Sequence, residues 1–285
     1  MRTFRQIRHT LWKTRLRTPL VRLRHRNLGP ADVFVGSYPR SGSTWLRFLL
    51  LEVLTGRSSE FPDVNKLIPK VGWHDQALLI PEGGRLIQTH EPYRKEYRKA
   101  VYIVRDPRDV VISEFAYQRA LGWVGVDFDE FLNLFLLGKV NGYGSWCDHV
   151  RGWLEAAASK QADVLVIRFE EMRRNTASAL AATMRFLGVT TSSEKLESAI
   201  RSNSIEGMRA KEDRSPQIGR SSSEEHRFVR RGSVGGWRGK LTPAQSELIG
   251  QYVDSTLRLL GYENETPASG LTHQGFDFAV KVSQP

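Results

Sequence analysis

Residues 37–45 read SYPRSGSTW, between an apolar run at 33–35 and a largely apolar segment at 46–51. Arg40 places a fixed positive charge in this turn, and Gly42 lets the backbone approach a ligand closely. Ser41, Ser43 and Thr44 add hydroxyl donors. A strand, such a turn and then a helix would aim unpartnered backbone N–H groups at an anion. The usual triphosphate loop has four residues between its glycines, then Lys and Ser or Thr. Here five residues separate Gly36 from Gly42, and Ser43 follows directly. The turn suits a phosphate held without that lysine.

Two other stretches carry similar chemistry. In YIVRDPRDVVISEF, Arg105 and Ser113 stand eight residues apart, from a strand end to the second turn of a helix. That spacing can bring a cation and a hydroxyl onto one anion. In IQTHEPY, His90 ends an apolar run, and parallel sheets place their ligand sites at the carboxyl ends of strands. A histidine there can accept a proton near neutrality. The six other histidines show no metal-site spacing.

These positions need a scaffold of alternating elements. Runs at 32–36, 85–89, 101–105 and 164–168 read as strands, and helical patterns at 44–54, 108–120 and 170–187 follow three of them. The alternation predicts an α/β domain with a mainly parallel sheet flanked by helices. Further helices are expected at 128–137, 145–159, 192–201 and 243–260. Residues 211–236, rich in Ser, Arg and Gly, read as a lid or binding loop.

The chain is 40% hydrophobic and 26% charged, a globular composition. No run approaches the roughly 20 apolar residues that span a bilayer. The single cysteine, Cys147, excludes an internal disulfide and fits a reducing compartment. Residues 1–30 hold nine Lys or Arg and no acid, leaving only +2 of the net +11 for residues 31–285. Phe4, Ile7, Leu11 and Leu16 fall at near-helical spacing before Pro19. Such a basic amphipathic segment suits an anionic membrane surface, a polyanion or a solvated tail. No apolar core follows the charges, so a cleaved signal peptide is not expected.

YPRSGSTWL resembles the 5′-phosphosulfate loop, typically YPKSGTTWL, of sulfotransferases that use 3′-phosphoadenosine 5′-phosphosulfate (PAPS). The resemblance implies a P-loop-like, nucleotide-kinase-like fold in one domain at 31–262, between a basic segment at 1–30 and a tail at 263–285. It implies that Ser41, Gly42, Ser43 and Thr44 grip the 5′-phosphate and that Trp45 lies against adenine. Arg40, in place of the family's lysine, would stabilise charge on the leaving bridging oxygen. RDPRDVVIS resembles the 3′-phosphate motif, implying Arg105 and Ser113 as ligands. FVRRGSVGGW resembles RKGxxGDWK, so Arg230, Arg231 and Gly232 would close over that phosphate, with Gly236 where the family has an acid. FEEM resembles YEDM, placing Phe169 at an adenine-facing tyrosine position. NSIEGM, with Ser204, resembles another adenine-lining stretch. THEP resembles the family's KTHLP segment, which makes His90 the general base and leaves Gln88 where a lysine is usual.

The resemblance spans residues 33–247. It implies transfer of a sulfuryl group from PAPS to an acceptor hydroxyl or amine, without a metal, in the cytoplasm. Membrane-surface contact through residues 1–28 is a further expectation, and no nucleic-acid partner is expected. A homodimer is left open, because the dimer signature keeps Arg238, Thr242 and Glu247 but has Pro243 in place of valine. Two other classes stand beside this reading: a P-loop-like phosphotransferase, and a non-catalytic binder of anionic ligands. For the acceptor, Trp73, His74, Tyr93, Tyr117, Trp123, Tyr143 and Trp146 fall in flanking segments. Aromatics suit sugars and phenols alike; the reading leans to a glycan or glycolipid, with a small molecule beside it.

Overall fold

The computed structural model describes residues 17–81, 83–215, 227–230 and 232–262. Four short strands form at the apolar runs: β1 (Val33–Ser37), β2 (Leu86–Thr89), β3 (Lys99–Val104) and β4 (Asp163–Arg168). Their order is β2-β1-β3-β4, and every pairing is parallel. Helices cover both faces of such a parallel sheet, which is why the strands are almost continuously apolar. All of β1 and β2 is buried.

Eleven helices surround the sheet among the described residues. They are α1 (Arg17–Arg24), α2 (Ser43–Thr55), α3 (Phe61–Leu67), α4 (Pro107–Ala120), α5 (Phe128–Leu136), α6 (Trp146–Ala158), α7 (Phe169–Arg174), α8 (Thr176–Phe186), α9 (Ser193–Ser202), α10 (Ile205–Asp213) and α11 (Pro243–Leu259). One core packs α2, α3 and α7 to α9 against Val35 and Val101 through Leu49, Phe61, Met172 and Met184. The opposite core packs α4 to α6 and α11 against Phe34 and Tyr102 through Val110, Phe131, Trp153 and Ile249.

Gly36 admits the largest of these side chains. A Cβ at that position would stand 3.1 Å from Trp153 and 3.2 Å from Tyr102. Trp153 instead stacks on Tyr97 and Tyr102, with centroids 5.5 and 4.9 Å away. Truncating such a buried tryptophan typically costs about 3–5 kcal/mol.

The structure corrects two element expectations and adds α3, for which the sequence carried no expectation. The single helix at 170–187 is two helices, because Asn175 adopts φ −139° and caps α8 by accepting from the Ser178 N–H at 3.1 Å. Asparagine competes for backbone bonds inside a helix and favours the cap. Helix α3 is only seven residues long and is set by a Glu60–Asp63 capping box. Helix α10 runs to Asp213, into the span expected to be loop. Its buried Lys211 disguised the apolar face: Nζ donates to Glu52 at 2.6 Å and Asn203 Oδ1 at 2.7 Å, tying α10 to α2.

Phe4, Ile7, Leu11 and Leu16 lie outside the described residues, as do residues 263–285. Helix α1 packs through buried Val21, an Arg17–Glu91 ion pair and a His25–Tyr97 hydrogen bond. Its outer face exposes Leu20 and Leu23. Among the described residues no helix is long and apolar enough to cross a membrane.

Candidate active site

The turn from β1 to α2 takes left-handed backbone twice, at Arg40 (φ 67°) and Gly42 (φ 101°). Gly42 is the N-cap of α2, and no side chain caps the N–H groups behind it. Successive amides in such a turn form an anion-binding concavity. A Cβ on Gly42 would stand 2.5 Å from the Phe169 ring. Ser41 is fully buried, and its Oγ has no hydrogen-bond partner among the described residues. An orphaned hydroxyl lining a concavity of amides marks a ligand position. Ser43 is buried and Thr44 half-buried at the start of α2.

Arg40 leans across to α4. Its Nε donates to Ser113 Oγ at 3.1 Å and its Nη2 to the Phe228 carbonyl at 3.3 Å. The guanidinium lies over the Tyr117 and Phe228 rings, 4.6 and 4.8 Å from their centroids. Burial lowers its pKa, Glu114 opposes this, and Arg105 and Arg230 add to the lowering. Arg105 donates to the Arg40 carbonyl at 3.2 Å and the Ser233 carbonyl at 3.0 Å, with its guanidinium 4.5 Å above the Phe169 ring. Its Nε has no hydrogen-bond partner among the described residues. Asp106 pairs with Arg108, at 2.7 Å, rather than with Arg105. Two guanidiniums and a hydroxyl thus converge, an arrangement suited to a dianion.

The segment after residue 227 closes this side. Glu212 accepts from the Phe228 and Val229 N–H groups at 2.6 and 3.0 Å, and Asp109 from the Gly235 N–H at 3.0 Å. Arg108 stacks on Trp237 at 4.0 Å. Gly232 takes φ 54° beside Ile205. Arg231 lies outside the described residues.

Beyond the turn, Trp45 meets Phe169 edge to face at 6.3 Å, and its indole N–H donates to the Asn203 carbonyl at 2.9 Å. Ser204 stands at the start of α10, its O–H still able to donate. Its oxygen caps α10, accepting from the Gly207 N–H at 3.1 Å.

His90 stands at the end of β2, beside Ser37 at the end of β1. Its Nδ1 lies 2.9 Å from the Ser37 carbonyl, which can only accept, so Nδ1 carries the proton. The basic lone pair is therefore on Nε2. Burial is the main cause pushing its pKa down to about 3, and the charge of Lys70 comes next. The His90 carbonyl accepts from His149 Nε2 at 3.0 Å, so His149 Nδ1 accepts from the Tyr102 hydroxyl at 2.9 Å. Burial likewise pushes the His149 pKa down to about 4.

The expected phosphate residues of the turn, Arg105 and Ser113 therefore meet at one end of the sheet, with His90 at the neighbouring strand end. His149, Tyr102 and Glu212 were not foreseen. A histidine between Trp146 and Trp153 on the apolar face of α6 was the available signal for His149, since such a ring needs internal partners.

An amide-lined turn after a central parallel strand, with a paired-arginine site beside it, defines an α/β protein that handles phosphate-bearing ligands. Residues 30–261 match the family described as Sulfotransferase domain, and the chain belongs to that family. It is similar to sulfotransferase 2B1 of Mus musculus, 28% identical over 239 residues, covering 78% of this chain and 70% of that protein. The amine sulfotransferase of Oryctolagus cuniculus is 29% identical over 237 residues, 76% of this chain and 77% of that one. The crystal structure of mouse sulfotransferase SULT7A1 complexed with PAP matches with TM-score 0.65 and 28% identity, over 83% of this chain and 87% of that one. Retinol dehydratase in complex with retinol and PAP, at 20% identity and TM-score 0.63 over 87% of this chain and 88% of that one, shares the fold.

Proposed function

We propose that this protein moves a sulfuryl group from PAPS to a hydroxyl or amine of a small acceptor. The observation that carries this reading is the orphaned Ser41 hydroxyl in its amide-lined turn, one strand away from a histidine whose Nε2 is free. His90 Nε2 takes the acceptor's proton as the acceptor oxygen or nitrogen bonds to sulfur. The bond from sulfur to the bridging oxygen breaks, and its electron pair stays on the 5′-phosphate. The amides at Gly42, with Ser41, Ser43 and Thr44, hold that phosphate and disperse its new charge, usually the largest catalytic contribution. Arg105, Ser113, Arg230, Arg231 and Gly232 hold the 3′-phosphate, while Trp45 and Phe169 flank the adenine.

Arg40 bonds Ser113, and so sits with the 3′-phosphate ligands. Its expected action on the bridging oxygen would use the Nη donors, since Nε is engaged by Ser113. One relative is an amine sulfotransferase, which favours a small acceptor. Incubation with radiolabelled PAPS and a panel of phenols, alcohols, amines and an oligosaccharide tests the proposal. Label on a small acceptor supports it; label on the oligosaccharide alone would replace the acceptor class. PAPS binding without transfer would make the protein a non-catalytic binder, and turnover with ATP and magnesium a phosphotransferase.

Gly42→Ala tests the cradle. The left-handed backbone costs roughly 1–2 kcal/mol for a residue with a Cβ, and the overlap with Phe169 adds about 1–3 kcal/mol. Affinity for adenosine 3′,5′-bisphosphate should fall by at least about tenfold. Titration calorimetry measures it, with circular dichroism on the same sample to check folding.

A further inference from the structure

Sulfuryl transfer places charge on the sulfur's outer oxygens as well as on the leaving phosphate. Two cations, Lys70 and Arg47, act on His90. Arg47, on α2, donates to the Ile68 carbonyl at 2.9 Å, the Val64 carbonyl at 2.9 Å and Asn65 Oδ1 at 3.1 Å. Its donors thereby fix the end of α3 and the segment that follows. That segment then pairs with β2: the Gln88 N–H donates to the Pro69 carbonyl at 2.8 Å, and the Val71 N–H to the Gln88 carbonyl at 2.9 Å. The result is a parallel bridge between Lys70 and Gln88.

Bridged residues of parallel strands project to the same side, and so do residues two apart along one strand. Lys70 and Gln88 therefore share one side of this edge, and His90 follows one residue past the end of β2. Gln88 is buried, 1% exposed, yet among the described residues neither its amide nitrogen nor its amide oxygen has a hydrogen-bond partner. An unsatisfied buried amide beside a proton acceptor marks a place for a polar group of the substrate. Lys70 is exposed at its rim, and of the charges lowering the His90 pKa it acts most strongly, ahead of His149 and Arg47.

We propose that Lys70 is a catalytic cation of sulfuryl transfer, its ammonium facing the sulfuryl oxygens with the Gln88 amide as a neutral donor beside it. The charge that the resemblance would put on residue 88 comes instead from the neighbouring segment at the same register. This rests on the reading that PAPS delivers its sulfuryl group at His90. The bonds made and broken are those of that reaction. Lys70 neither gives nor takes a proton, and lowers the barrier by charge alone.

Wild-type transfer from PAPS is measured first, and its absence sinks the functional reading rather than this inference. Lys70→Ala should then lower kcat by about 10- to 100-fold, less than a fully buried donor because the lysine is exposed. Affinity for adenosine 3′,5′-bisphosphate should stay within about threefold, which also checks folding. Adding Gln88→Lys to Lys70→Ala should restore most of the loss, and Lys70→Arg should keep most of kcat.

His90 is faced by Lys70, by Arg47 from α2, by His149 from α6 and by the Tyr143 ring, with the Arg17–Glu91 ion pair adjoining. Removing Lys70 should move the acid limb of kcat/KM upward, because one cation that disfavours the imidazolium is gone. Unchanged kcat in Lys70→Ala overturns the proposal. So does a loss that Gln88→Lys does not repair, or one confined to the KM of acidic acceptors. Should Lys70→Ala not fold, Lys70→Met is read by the same measures.

Discussion

His90→Ala should lower sulfate transfer by about 10²- to 10⁴-fold, the usual range for a general base. Affinity for adenosine 3′,5′-bisphosphate should be nearly unchanged. The separation follows from position: His90 is held by Ser37 and His149 at the end of β2, while the arginines and the amide turn are organised by α2, α4 and the segment at 228–238. Steady-state transfer and calorimetric binding on one preparation decide. Turnover near the wild-type level would remove His90 from the mechanism. The wild-type pH profile adds a second measure. With its folded pKa pushed down to about 3, His90 stays neutral far below the ordinary 6.5, so the acid limb of kcat/KM should lie well under pH 6. The same depression has a stability consequence. Below pH 6.5 the unfolded chain binds protons that folded His90 and His149 refuse, so stability is greatest above pH 6.5 and falls as pH drops towards 4.

Arg105→Ala should separate two nucleotides. Its guanidinium sits with Arg40 and Ser113, and a hydrogen bond to a charged group is worth about 1.5–3 kcal/mol. Affinity for adenosine 3′,5′-bisphosphate should fall roughly 10- to 150-fold. Affinity for adenosine 5′-phosphate, which lacks the second phosphate, should change by less than about threefold. Arg105 also braces the turn through the Arg40 carbonyl and lies over Phe169, so Ser113→Ala is measured in parallel. It removes a ligand without touching that brace. Equal weakening of both nucleotides in both variants would show that the paired-arginine site does not hold the 3′-phosphate.

Much of the fold was legible because the relevant signals are local. A strand buried on both faces has to be continuously apolar, so 33–35, 101–104 and 164–167 announced themselves. Pro107 and Asp106 mark the start of α4, and Pro243 with the Thr242–Gln245 capping box marks α11. The break at Asn175 and the short α3 are also local, but there the capping residues rather than apolar periodicity carry the signal. Lys211 is different: its burial depends on Glu52, 159 residues away in sequence, and no window around α10 contains that partner.

Taken alone, the order of residues determined the parallel α/β scaffold, the amide turn at Gly42 and a histidine at a strand end, since each follows from backbone sterics or periodicity within a few residues. Tertiary structure alone decided which nitrogen of His90 is basic, because the deciding acceptor is the Ser37 carbonyl on another strand. It likewise turned Arg40 towards Ser113 and set Lys70 beside Gln88. Long side chains choose among partners by what packing brings within about 3 Å, and that choice is made between segments that sequence spacing does not relate.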